Sequence, residues 1–161
     1  MKKTQTPRPI AQSTTNKPKP FAQLQLHQET IAGRKVVLVV ANVDSDAQHD
    51  CFADLASRCL PRVKLSPISW PEFLNGLPAL EADLIFICST RYGPDDFDAL
   101  KTGLRAFRSR NPEAVVAMAN THLGHTFHSN KLIDHIEHHD TFSIPFLLKG
   151  VELFVRKQDL Q

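Results

Sequence analysis

The chain has 161 residues, 42% of them apolar, and a formal net charge of +2, which is the length of one domain able to bury a real core. It has no apolar run near the roughly 18 residues that cross a bilayer, and its opening, MKKTQTPRPI, lacks the apolar segment of a secretory signal, so a soluble, cytoplasmic protein is expected. Cys51, Cys59 and Cys88 form an odd set without CxxC spacing, each in an apolar stretch, and read as reduced packing thiols rather than as disulfides or a zinc site.

The charge is unevenly placed. Residues 1–34 hold six Lys/Arg (Lys2, Lys3, Arg8, Lys17, Lys19, Arg34) against Glu29 alone, whereas the remainder holds 13 against 16 Asp/Glu. This leader, with Pro7, Pro9, Pro18 and Pro20 among Gln, Thr and Lys, has too little apolar surface to offset its ordering entropy. We read 1–34 as a basic, flexible tail preceding a folded domain at 35–161. Within it, FAQLQLHQETI (21–31) could add a short strand or helix. A basic tail suits nucleic acid or an acidic protein, but no aromatics are interleaved with its charges.

From residue 35 onward short β-rich runs alternate with helical patterns. KVVLVVA (35–41) is followed by a helix at 46–60, with Phe52, Leu55 and Cys59 on its inner face. RVKLSPI (62–68) precedes a weaker helix at 70–80. DLIFICS (83–89) leads into the clearest helix, 95–110, where Phe97, Leu100, Leu104 and Phe107 share one face. There Asp95, Asp96 and Asp98 crowd the first turn and Arg105, Arg108 and Arg110 the last, complementing the helix dipole. AVVAMAN (114–120) is followed by a helical pattern at 129–138 (Leu132, Ile133, Ile136), then by TFSIPFLL (141–148) as a fifth strand and a helix at 151–158.

Strands alternating with helices imply right-handed βαβ units and a parallel sheet covered on both faces. Only the second and fifth expected strands contain an internal proline (Pro67, Pro145), and proline belongs on sheet edges because it has no N–H. In the order 2-1-3-4-5 those two strands are the edges, so the expected architecture is a flavodoxin-like α/β sandwich with a five-stranded parallel sheet. Ligands of such sheets sit beyond the C-terminal ends of the strands. The loops that matter are therefore ANVDSDAQ, CSTRYGPDD and NTHLGHTFH.

LIFICSTRYGPDDFDALKTGL resembles the flavodoxins and the FMN domains of diflavin reductases, where a strand ends in Ser-Thr, an aromatic-Gly pair follows, and Pro-Asp opens a helix. AVVAMANTHLGHTFHSNKLIDHIE is similar to that family's next unit. The resemblance covers about residues 35–150 and implies FMN, with electron transfer to a protein redox partner. It implies that Ser89, Thr90, Tyr92 and Gly93 border the ring, Tyr92 stacking on it, and that Asn120, His122, Gly124 and Phe127 form the other wall. Asn42 and Ser45 would face the phosphate. An isoalloxazine needs flat aromatic partners and backbone donors at its polar edge; packing at the sheet rim is the alternative role for Tyr92 and Phe127.

The first loop departs from that family. Flavodoxins cradle the phosphate with Ser, Thr and Gly at a helix N-terminus, whereas this chain has no glycine there and carries Asp44 and Asp46. A carboxylate ~5 Å from a phosphate charge costs about 3 kcal/mol at an effective dielectric near 20. Asp44, Ser45 and Asp46 also suit helix N-capping.

The alternative to an FMN carrier is a cofactor-free interaction module in a larger assembly, either flavodoxin-like or built like a degenerate receiver of two-component signalling. Active receivers hold Mg²⁺ with acidic residues after strand 1 and accept phosphate on an aspartate ending strand 3. Here strand 1 ends in Ala41-Asn42, the acceptor position falls on Cys88, and Lys149 would stand in for the receiver lysine. Six of the eight histidines (His122, His125, His128, His135, His138, His139) lie between 122 and 139. They read as solvated side chains rather than a metal site, because Gly124 interrupts helical register and no cysteine or carboxylate is arranged with them. A nucleophile at Cys88 or Ser89 would need His122 or His125 as its base. An electron carrier or binding module, rather than an enzyme, is the expectation.

Overall fold

A computed structural model describes residues 19–41, 46–89, 94–119, 131–137 and 143–160. Two short helices come first, α1 (Pro20–Leu26) and α2 (Gln28–Ile31), followed by β1 (Lys35–Ala41), α3 (Asp46–Cys59) and β2 (Lys64–Ser69). Next come α4 (Trp70–Gly76), a 3-10 turn (Leu77–Ala79), β3 (Leu84–Ser89), α5 (Pro94–Arg110), β4 (Val115–Ala119), β5 (His135–Glu137) and α6 (Ile144–Asp159). All strand pairs are parallel, and the order is β2-β1-β3-β4-β5. The expected flavodoxin-like sandwich is the fold.

The strands alternate between two cores. Val36, Leu38 and Val40 of β1 face α1, α3 and α6, with Leu24, Ala56, Phe146, Val151 and Phe154. Val37 and Val39 face α4 and α5, with Phe73, Leu77, Leu100, Leu104 and Phe107. Central strands covered on both faces read as continuous apolar runs, as KVVLVV does. Two glycines let helices approach closely. A Cβ at Gly150 would collide with the Phe86 ring, and one at Gly103 would press on Leu77.

The fifth strand is not where the apolar run suggests. TFSIPFLL is the start of α6: Ser143 caps it, its Oγ accepting from Phe146 N at 3.3 Å, and Pro145 occupies the first turn, where a missing N–H costs nothing. Phe146, Gly150, Val151 and Phe154 repeat at helical steps and are buried. The expected helix at 151–158 is the second half of this same element. The strand is HIE, inside the stretch expected to be helical; residues 131–134 form a turn with Lys131 at φ 58. Pro145 therefore argued the right sheet order from the wrong element, while Pro67 does lie in edge strand β2.

Residues 20–31, within the stretch assigned by composition to the tail, pack onto the sandwich. Leu24 and Ile31 are buried in the α3/α6 core. Gln28 is buried too, and its Nε2 donates to Leu24 O at 3.0 Å and to Cys59 O at 3.1 Å. Gly33, at φ +76, turns the chain into β1, a conformation glycine adopts without the Cβ penalty.

Candidate functional site

The C-terminal ends of β1, β3 and β4 lie side by side: Ala41 pairs with Ser89, and Cys88 lies between Val40 and Ala119. Of the residues expected to hold a ligand there, Ser89 is described as the last residue of β3. Asn42, Ser45, Thr90, Tyr92, Gly93, Asn120, His122, Gly124 and Phe127 lie outside the described residues, as does Asp44. Asp46 is the first residue of α3.

Cys88 has the defining chemistry of this edge. It is 2% exposed in the α3/α6 core, and burial pushes its thiol far above the ordinary range. A neutral thiol among Val40, Phe86 and Ala119 is a small core hydrophobe. It is not an activated nucleophile, which needs a depressed pKa and access. Its burial and raised pKa count against the alternative of a nucleophile at Cys88. Lys149 also departs from its expected place: it lies half-buried within α6 rather than after a strand.

Sequence reasoning missed a pair on β5. His135 and Glu137, two residues apart on one strand face, bring Nε2 and Oε2 to 3.1 Å, and the imidazole lies 6.4 Å from the Phe146 ring. The readable signal was the alternation His-Ile-Glu with the apolar residue turned the other way. The other histidines of the cluster lie outside the described residues. Among the described residues no group of three or more His, Cys, Asp or Glu could hold a metal ion, and no helix is long and apolar enough to cross a membrane.

The opposite, N-terminal edge of the sheet is tied by a polar knot. Asp134, just before β5, accepts from Val116 N at 2.8 Å, from Lys157 Nζ at 3.0 Å and from Arg108. Arg108 also donates to Leu132 O and Ala114 O, and Lys157 to Ala114 O. Burial alone would raise the Asp134 carboxyl, but the Arg108 guanidinium, the Val116 N–H and Lys157 together hold it below its ordinary value. One carboxylate thus joins α5, α6, β4 and β5, so the knot's role is architectural.

The fold is shared with signalling domains. A CheY-like response regulator receiver domain from Methanospirillum hungatei is 16% identical, with a TM-score of 0.56 covering 80% of this chain and 100% of that one. An adenylate cyclase from Rhodopirellula baltica is 12% identical, with a TM-score of 0.54 covering 79% and 91%. A sensor protein from a Polaromonas species is 11% identical, with a TM-score of 0.53 covering 77% and 98%. Likeness at these identities establishes the fold. No family model and no curated protein matches the chain. The flavodoxin resemblance thus holds for the fold.

Proposed function

We propose that this chain is a receiver-shaped protein-interaction module that neither accepts phosphate at the end of β3 nor carries flavin. The observation that carries the reading is Cys88. In the receiver arrangement a carboxylate ends β3 and meets Mg²⁺ held by acidic residues after β1. The position read from the sequence as the acceptor's is Cys88, one residue before the end of β3, a buried thiol paired with Val40 and Ala119, and a thiol with a raised pKa neither binds Mg²⁺ nor takes up a phosphoryl group. The same edge does not suit FMN. α3 opens on Asp46, so a carboxylate residue occupies the helix N-terminus where a flavin phosphate would be cradled, and like charge opposes it.

With the chemistry of both ligands disfavoured, the surface at the strand ends is left for protein contact. Loops carried on a rigid sheet are where such folds acquire new partners. The test is intact-mass spectrometry after incubation with Mg²⁺ and acetyl phosphate, together with a visible spectrum of protein purified without added cofactor. The reading expects no phosphoryl adduct and no flavin band. An adduct on the chain, or a bound flavin, would overturn it.

A further inference from the structure

A second surface lies away from the strand ends. Parallel sheets normally have helix over both faces. Here α4 has 7 residues before the 3-10 turn, roughly 10 Å of helix over a β1 strand of about 23 Å. Beside the N-terminal half of β1 and along β2 a trough of about 370 Å³ is left, lined by Lys35, Val36, Val37, Lys64, Ser66, Ile68, Leu80 and Glu81. Ile68 and Leu80 are partly buried hydrophobics of the α4/α5 core, so they present apolar surface to the trough.

Two ammonium groups stand at its mouth. Lys35 and Lys64 are register partners across β1 and β2, an arrangement of like charges that destabilises a strand pair. Glu81 answers the Lys35 ammonium at 3.9 Å, with both side chains more than half exposed, and the Asp83 carboxylate lies beside the same residue, accepting from Lys35 N at 2.8 Å. Among the described residues no carboxylate is in ion-pair reach of Lys64. The unanswered Lys64 ammonium beside an apolar floor is complementary to an amphipathic segment that brings carboxylates.

The edge itself narrows the geometry. Pro67 lies within β2 and cannot donate to an added strand, which blunts β-augmentation. An occupant therefore packs on the sheet face, in the space α4 leaves, rather than extending the sheet. The trough is open, which suits side chains of a helix better than a small molecule needing most of its surface enclosed.

We propose that this trough docks an acidic amphipathic helix of a protein partner, apolar side chains meeting Ile68 and Leu80 and flanking carboxylates meeting Lys35 and Lys64. The experiment is a methyl NMR titration of the full chain with a synthetic helical peptide bearing a leucine face flanked by glutamates, and with its lysine-for-glutamate counterpart. Saturable shifts of the Val37, Ile68 and Leu80 methyls are expected with the glutamate peptide only. Affinity should fall at least about tenfold in the Lys35→Glu/Lys64→Glu variant, while the neutral Lys35→Met/Lys64→Met variant binds with intermediate affinity. Equal response to both peptides, no saturable response, or shifts at the strand C-terminal ends instead would overturn the proposal. So would concentration-dependent shifts of these methyls without peptide, which would mark the trough as a contact between copies of this chain.

Discussion

Replacing Asp134 by alanine removes the acceptor at which α5, α6, β4 and β5 meet. The carboxylate takes a backbone bond from Val116 and charged bonds from Arg108 and Lys157, whose side chains are 16% and 28% exposed against 20% for Asp134. Arg108 and Lys157 keep their carbonyl partners at Ala114 and Leu132, so the loss is short of a fully orphaned pair. Hydrogen bonds to charged groups contribute about 1.5–3 kcal/mol each, and stripping one partner from a buried pair costs up to about 5 kcal/mol. With water reaching part of this knot, the expected loss is about 2–3 kcal/mol, read as a lower urea midpoint at unchanged m. Asp134→Asn, which keeps shape and an acceptor, should lose about half as much. The pH dependence has a definite sign. The folded pKa of Asp134 is depressed, so its contribution is full above the unfolded value near 4 and is lost as pH falls through the lower folded value. The difference between wild type and Asp134→Asn should therefore be flat from about pH 5 to 7 and shrink below about pH 4. A midpoint for Asp134→Ala within error of wild type, or a difference that grows on acidification, would show that Asp134 does not hold these elements together.

Gly150→Ala should destabilise by about 1–3 kcal/mol, because the new methyl meets Phe86, whereas Gly76→Ala, with open space around its Cβ, should be neutral or slightly stabilising; paired thermal melts check both. Leu24→Ala should cost about 2–5 kcal/mol in urea unfolding, since Leu24 is fully buried against the α3/α6 core; a change under 0.5 kcal/mol, the usual surface range, would mean that α1 is not part of the cooperative unit. In native protein Cys51, which is exposed, should react promptly with an aromatic disulfide reagent, while the buried Cys59 and Cys88 should wait for unfolding. Burial pushes both buried thiols up, only partly opposed at Cys59 by Arg58; prompt release of more than one thiolate equivalent would contradict this.

The sheet and its order were legible because β1, β3 and β4 are unbroken apolar runs and α5 repeats Phe97, Leu100, Leu104 and Phe107 on one face. The end of the chain was not, because SIPFLL is apolar enough for a strand and its length does not separate strand from helix. The deciding detail was local: Ser143 before Pro145, a cap and a first-turn proline. HIE is too short and too polar to outweigh the Leu132, Ile133 and Ile136 spacing that suggested a helix. In the leader, the Pro and Lys content masked Leu24, Gln28 and Ile31, whose spacing of four and then three is a helical stripe. At the strand ends the sequence identified the edge and the oddity of Cys88, but not its burial, which depends on Val40 and Ala119 from distant segments.

The claim that the end of β3 has lost phosphate chemistry is met most directly by an amide NMR titration with Mg²⁺ and beryllium fluoride, which mimics a phosphorylated aspartate. The Val40, Cys88 and Ala119 amides should stay in place at saturating reagent. Saturable shifts at those three strand ends would show a working acidic site and contradict it.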